Sequence, residues 1–414
     1  MTRYAWNGLV ALLLLAAPAR AASFLDRPYG TPEYGLSARS RAMGGAAAAL
    51  SSGVYGLVDN PATLALEAGS RVDLTLGFAR ASEIRYVPLY DTFDSYVDDA
   101  AIAVNDHLYG AMNGGVVWDP RWRGLVVGAG VFDRQDPRYD YYDERRSTAT
   151  TDQIVSERFI RSRGVLRSWA LGGAIPIAGR GAAGVALHSY EGTLSDRDAL
   201  VPRANPASGS VTELERRLSG WSVTIGGTFD VDERLRTALA IETPPNLHDD
   251  FTEWLNDSVV SPTPSNDDLR LPLRVQAGAS YRPRNTLRTT FAVDVIWMPW
   301  SEVDDPMRPD DVLLDTWDVR FGLEHRYARG VPARVGFRYA RSYATREADR
   351  ATFTFGVGYE ATRFALDFSG EVGKAVSRQE PLWPRDEQGP AVGAGMDRVE
   401  DTVVRVFLGV RVTP

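Results

Sequence analysis

Large apolar and polar side chains alternate along most of the chain, and this two-residue period is what most restricts the fold. Trp317, Val319, Phe321 and Leu323 alternate with Asp318, Arg320, Gly322 and Glu324, so one face is greasy while the other carries full charges. Val72-Asp73-Leu74-Thr75-Leu76-Gly77-Phe78, Phe353-Thr354-Phe355-Gly356-Val357-Gly358-Tyr359 and Phe364-Ala365-Leu366-Asp367-Phe368 repeat the pattern. A period of two puts successive side chains on opposite faces of a strand. Past residue 22, no stretch approaches the ~18 consecutive apolar residues of a membrane helix. A chain that enters a bilayer without helices must pair its backbone N–H and C=O groups between strands, and that requires a closed barrel.

The alternation predicts fourteen strands at 70–82, 111–118, 123–134, 165–177, 180–190, 217–229, 234–243, 271–282, 286–298, 315–327, 332–344, 350–359, 361–374 and 400–412. Tight links such as Asp119–Trp122, Ala178-Gly179, Asp230–Arg234 and Pro283–Asn285 alternate with long polar loops at 83–110, 135–164, 191–216, 244–270, 299–314 and 375–399. Short periplasmic turns and long external loops are the barrel pattern, and an even count returns the C-terminus to the periplasm. A soluble β-sandwich also alternates, but its strands run about 5–6 residues, against ~9–11 for a tilted membrane strand. Trp118, Trp122, Tyr281, Trp297, Trp300, Tyr327 and Tyr359 lie near strand ends, where interfacial girdles form. The expected fold is therefore all-β: an antiparallel transmembrane β-barrel of about fourteen strands over residues 70–414.

Met1–Ala22 has the three parts of a secretory signal: Arg3, an apolar run from Leu9 to Ala17, and Ala19-Arg20-Ala21 as a small-x-small cleavage site. The run is about half the ~20 residues that would span a bilayer as an anchor. Export to the outer membrane follows, with its lipid and its assembly machinery as partners. The 414 residues include no cysteine, which removes disulfides, thiolate metal sites, cysteine nucleophiles and a lipoprotein anchor. A net charge of −8 without a basic tract argues against nucleic acid. His107, His188, His248 and His325 have no metal-ligand spacing, and no Gly-x-Ser-x-Gly elbow occurs. Neither metal, cofactor nor catalysis is expected; a hydrolase would need His188 or His325 beside a serine and a carboxylate.

Residues 23–69 do not alternate, and small side chains dominate them. Such a segment packs inside a narrow lumen, so it is read as a plug. Gly44-Gly45 lacks the Lys-Ser/Thr of a phosphate loop. Gly35-Leu36-Ser37-Ala38-Arg39-Ser40-Arg41-Ala42-Met43-Gly44-Gly45-Ala46, leading to Asn60-Pro61-Ala62 and Leu64-Ala65, resembles the N-terminal hatch of FadL-type outer-membrane transport proteins. The chain departs from that pattern at Thr63, where Gly is common, and ends Arg411-Val412-Thr413-Pro414 without a terminal aromatic. The resemblance implies a fourteen-stranded barrel for passive uptake of hydrophobic small molecules such as long-chain fatty acids. Gating would then involve Gly44, Gly45, Asn60, Pro61 and Ala62. PorV-like barrels carry a related pattern and serve protein secretion or act as interaction scaffolds, which is the alternative.

Arg274, Arg320, Arg334 and Arg338 share the lumen-facing parity of their strands with Asp294, Asp318, Glu324, Asp367 and Glu371. They would hold a fatty carboxylate in forked hydrogen bonds, or else pair with those acids in a lattice joining plug and wall. FadL-type channels release cargo sideways where one strand kinks. Here Gly124, Gly128 and Gly130 in the third strand would permit the bend, unless they only make room for the plug. Tyr139, Tyr141 and Tyr142 would line a capture site or cover their loop.

Overall fold

The computed structural model describes residues 23–414 except 51, 68, 92, 94, 147–152, 178, 262–267, 285–287, 328–329 and 384–394; the signal segment lies outside the described residues. Fourteen strands form the wall, each overlapping a span expected from the alternation: β1 Arg71–Tyr90, β2 Tyr96–Trp118, β3 Val126–Asp136, β4 Leu166–Pro176, β5 Gly181–Pro202, β6 Ser210–Asp230, β7 Leu235–Glu242, β8 Arg274–Tyr281, β9 Thr289–Met298, β10 Thr316–Tyr327, β11 Val331–Ala340, β12 Arg350–Glu360, β13 Phe364–Gln379 and β14 Asp397–Val412. All neighbours are antiparallel, and β1 pairs with β14 from Val72↔Val412 to Tyr86↔Arg398. That last ladder leaves the sheet without a free edge along the closure.

On β14 the outward side chains Val404, Val406, Leu408, Val410 and Val412 give an apolar belt nine residues long, and Arg398, Glu400 and Thr402 continue the same face above it. Nine residues meet the ~9–11 a tilted strand needs to cross the hydrocarbon. Phe353, Phe355, Val357 and Tyr359 on β12 and Phe364, Leu366, Phe368 and Val372 on β13 extend the belt sideways, each at least 40% exposed. The exposed Arg80–Asp106 ion pair marks its upper rim, since Arg80 stands in register with Val404. Trp118, Trp122, Tyr281, Tyr327 and Tyr359 are exposed near the short turns at one end of the barrel, as interfacial anchors require. Trp300 is not among them: it is 1% exposed inside the mouth.

The expected long loops are the main correction. Most of 83–110 is strand, because β1 and β2 stay paired up to Tyr90 and Tyr96. Within 135–164 a hairpin of Tyr139–Arg146 and Ile154–Arg163 pairs onto the upper part of β5. Within 244–270, Asn246–Leu255 continues along β6 where β7 leaves off. Above the lipid both faces of a strand meet polar surroundings, so alternation fades; the hydrogen-bonded ladder does not depend on it and continues.

Reversing polarity in the belt tests its position. Phe355→Arg is expected to cost about 2–4 kcal/mol and Thr402→Arg, above the belt, about 0–1. Urea unfolding in lipid vesicles measures both.

Candidate functional site

The lumen is filled by residues 23–67, folded as short turns. Ser37 caps the helix α1 (Ala38–Ala42) by accepting the Ser40 N–H, and Met43-Gly44-Gly45 then reverses the chain. Gly44, at φ +68, lies so close to the wall that a Cβ would fall 2.5 Å from the Phe337 carbonyl and 2.6 Å from that of Phe321. Its N–H donates to Thr354 Oγ1 at 2.9 Å. Asp294 reaches in from β9 and accepts the Ala47 and Ala48 N–H groups, each at 2.8 Å. The helix α2 (Gly56–Asp59) leads into Asn60, whose Oδ1 caps the next turn through the Ala62 N–H at 3.1 Å. Asn60 Nδ2 donates to the Ala48 carbonyl at 2.9 Å and to Gly227 of the wall at 3.2 Å, and Pro61 starts the turn without an N–H to satisfy. Gly184 and Gly226 leave the space that Asn60-Pro61 occupies. Asp59, outside the strands, has its carboxyl pushed above the ordinary range by burial, against the pull of the Gly35 N–H at 2.7 Å.

Charge is distributed unevenly around the hatch. Toward β3–β5 the contacts of Tyr55–Leu64 are apolar: Tyr55, Leu57, Val58 and Leu64 pack with Val126, Phe132, Ala170, Ala174 and Ala186, while nearer the mouth Arg27 binds Asp196 of β5 at 2.6 Å. Toward β8–β14 an arginine–carboxylate lattice joins hatch and wall. Arg39 binds Glu324 at 2.8 Å, and Arg41 pairs with Glu33 and Glu371 while stacking over Phe407 at 5.0 Å. Three of the four candidate arginines belong to this lattice or its continuation. Arg274 binds Glu242 at 3.0 Å and the Val58 carbonyl at 2.6 Å. Arg320 binds Asp318 at 2.6 Å and the Gly45 carbonyl at 3.1 Å. Arg334 binds Glu324 at 2.7 Å and Asp367 at 2.5 Å. Arg338 differs: 9% exposed, it makes no hydrogen bond or ion pair among the described residues, and its Nε is buried without a partner. Arg39, Arg41 and Glu33 were not expected as partners, because short turns give the hatch no period from which facing residues can be read.

The wall is thinnest at β3. Val126–Asp133 and Gln135 pair with β4, but β2 and β3 share only Gly114–Trp118 with Val127–Val131. Beyond Val131 the strand turns inward: Phe132–Asp136 are buried, and Gln135 and Asp136 pair with Pro32 and Thr31 of the hatch. Gly130 sits at this bend, where a Cβ would be 2.6 Å from the Phe132 ring and 2.8 Å from the Gly114 carbonyl. Gly128 faces Leu57 and Leu64 at ordinary contact distance. Gly124 lies in the preceding turn at φ +74, so it belongs to the turn and not to the strand. A groove of about 500 Å³ opens on the outer face at the bend, lined by Val116, Val131, Trp169, Leu171 and Leu187. Phe132 and Tyr55, 6.0 Å apart, stand behind it.

The outer mouth is covered. Trp300 stacks on Tyr343 at 4.2 Å and meets Tyr29 of the hatch at 5.9 Å. Tyr139 and Tyr141 are buried beside Ile160 and Phe24, whereas Tyr142 is 40% exposed against Phe159. A second groove, about 320 Å³, runs past Tyr141, Tyr142, Phe159 and Ile160. His188 bonds Thr224 and His325 bonds Thr289, both at 3.1 Å, so neither is hydrogen-bonded to a serine or a carboxylate among the described residues.

These features define a membrane barrel with an internal hatch and one inward-bent strand. No family model matches the sequence, and no curated protein matches it. Solved structures do. A Pseudomonas aeruginosa FadL homologue superposes with a TM-score of 0.67 at 10% identity, over 93% of this chain and 99% of that one. The Pseudomonas putida toluene transporter TodX gives 0.62 at 14%, over 94% and 99%, and the Ralstonia pickettii toluene transporter TbuX gives 0.59 at 18%, over 92% and 98%. The fold is that of the FadL-type channels, in agreement with the resemblance in the hatch sequence.

Asp294→Ala orphans two buried hatch amides, at about 1–3 kcal/mol each. The expected result is a hatch that opens while the barrel persists: higher ion conductance in planar bilayers, with the heat-modifiable band retained on electrophoresis.

Proposed function

We propose that the protein is an outer-membrane channel for passive uptake of hydrophobic small molecules, long-chain fatty acids among them, exported with a cleaved signal peptide and seated by the outer-membrane assembly machinery. The hatch gates the path, and cargo leaves sideways at β3. The observation that carries this reading is the 500 Å³ apolar groove at the shortened β2–β3 ladder. Its size falls within the ~300–1,000 Å³ of ligand pockets. Apolar cargo has no reason to enter periplasmic water when a lipid-facing exit is available. The solved structures of similar fold, a FadL homologue and two toluene transporters, support the same cargo class.

The lumen contributes a selective element. Arg338 is the candidate arginine whose charge the lattice leaves unmatched, which suits the carboxylate of an amphipathic cargo; Arg274 and Arg320 instead bond hatch to wall, and Arg334 joins Glu324 and Asp367 within the wall. Gly44, Gly45, Asn60, Pro61 and Ala62 are the hatch residues whose contacts must break for passage. Gly128 and Gly130 keep the bend open, whereas Gly124 only shapes the turn before it.

Uptake of labelled fatty acids and alkyl-aromatics by a host lacking its own channel tests the reading. Expression should raise uptake of part of the panel. Arg338→Gln should lower fatty-acid uptake about tenfold, the equivalent of 1.4 kcal/mol, and leave neutral aromatics unchanged. Unchanged uptake across the whole panel, together with a stable crosslinked protein partner in intact cells, would favour the secretion reading instead.

A further inference from the structure

The two ends of the barrel differ in how their surface charge is matched. The six short turns, 119–125, 177–180, 231–234, 282–288, 328–330 and 361–363, hold nine arginines against three acids, Asp119, Asp232 and Glu233, although the whole chain carries a net charge of −8. Two of those acids are already committed to the turn backbone. Asp119 accepts the Gly69 and Arg121 N–H groups at 2.9 and 2.8 Å, and Asp232 accepts those of Arg234 and Leu235 at 2.6 and 2.8 Å. Arg121, Arg123, Arg180, Arg288 and Arg363 are exposed, and none of them forms an ion pair among the described residues.

Above the opposite edge of the belt, outward cations come with their own acids. Arg80 pairs with Asp106, Lys374 with Glu400 at 2.7 Å, and Arg398 with Glu400 at 2.7 Å and Asp99 at 3.1 Å. The lone arginines also stand at a defined depth. Arg123 follows Trp122, Arg180 follows Ile177 by three residues, and Arg363 precedes Phe364; these three large side chains are 58%, 50% and 41% exposed at the end of the lipid-facing belt. The Arg123 guanidinium lies over the Trp122 ring at 5.5 Å. At ~3.3 Å per residue, one to three residues past the belt is the level of the headgroups, where interfacial aromatic rings sit.

We propose that this arginine rim is a binding surface for the phosphate groups of anionic phospholipids in the leaflet at the short-turn end. A guanidinium forms forked hydrogen bonds to phosphate, and its apolar stem lies along the belt while the charged head reaches the interface. Spread over turns 119–125, 177–180, 282–288 and 361–363, the arginines meet separate lipids around the wall, so the surface is a ring and not one pocket. Bound phosphates then fix the depth of that end in the bilayer. The inference needs only the membrane barrel and is independent of what the channel carries.

Lipid selectivity at the barrel wall reads this directly. The purified barrel is reconstituted in phosphatidylcholine with a trace of spin-labelled phosphatidylglycerol or spin-labelled phosphatidylcholine, and electron spin resonance gives the fraction of each probe held against the protein. Phosphatidylglycerol should associate about fivefold more strongly than phosphatidylcholine at low salt, as expected for basic side chains beside an anionic headgroup, and the ratio should fall toward one at ~1 M sodium chloride. Arg123→Gln, Arg180→Gln and Arg363→Gln together should abolish the preference. Arg80→Gln, Lys374→Gln and Arg398→Gln together remove the same net charge from the opposite end and should leave it intact. Should the first triple variant fold poorly, Arg180→Gln and Arg363→Gln carry the test singly, each lowering the ratio in part. A ratio near one in the unmodified barrel, or equal losses in the two triple variants, overturns the proposal. Inorganic phosphate that displaces the lipid more effectively than sodium chloride of equal ionic strength also overturns it, by assigning the arginines to a soluble anion.

Discussion

The structure depends on the requirement that no backbone hydrogen bond be left open toward hydrocarbon. The β1–β14 ladder meets it by closing the sheet. With the cylinder closed, each strand has one face in lipid and the other in an enclosed interior. The outward face must then be Val, Leu and Phe, and charge is confined to the lumen. Asp318, Arg320 and Glu324 are tolerable between Trp317, Val319, Phe321 and Leu323 because the barrel shelters them.

Sheltered charge has to be matched, and the hatch does much of the matching. Arg39 and Arg41 arrive on α1, within a turn of each other, and meet Glu324, Glu33 and Glu371. Breaking a buried pair by removing one partner is far costlier than forming it is favourable. The lattice thus sets the position of the hatch more than it adds net stability. The β3–β5 side offers small apolar side chains and glycines instead, so the two halves of the lumen hold the same segment by different means. Around Tyr55, Leu57 and Leu64 the hatch is held by apolar packing.

That asymmetry gives the bend in β3 its meaning. The strand leaves β2 where the hatch meets the wall through Tyr55, Leu57 and Leu64, and Phe132 packs against Tyr55 there at 6.0 Å. Rings in contact can move apart at modest cost. Arginine forks cannot, which separates the part of the lumen held by rings from the part held by ion pairs.

Much of this was legible in the alternation alone. It places all fourteen strands, their inward and outward faces, and the inward parity of Arg274, Arg320, Arg334 and Arg338, because a period of two converts chain position directly into a face. It could not follow β1, β2, β5 and β6 above the lipid, where both faces are polar and the period is lost. The partners of those arginines, the burial of Trp300 in the mouth, and the unpaired state of Arg338 among the described residues were decided by the tertiary structure. Each depends on which distant strand or hatch turn comes opposite, and closure of the barrel brings such residues together from hundreds of positions apart, a juxtaposition that local pattern does not encode.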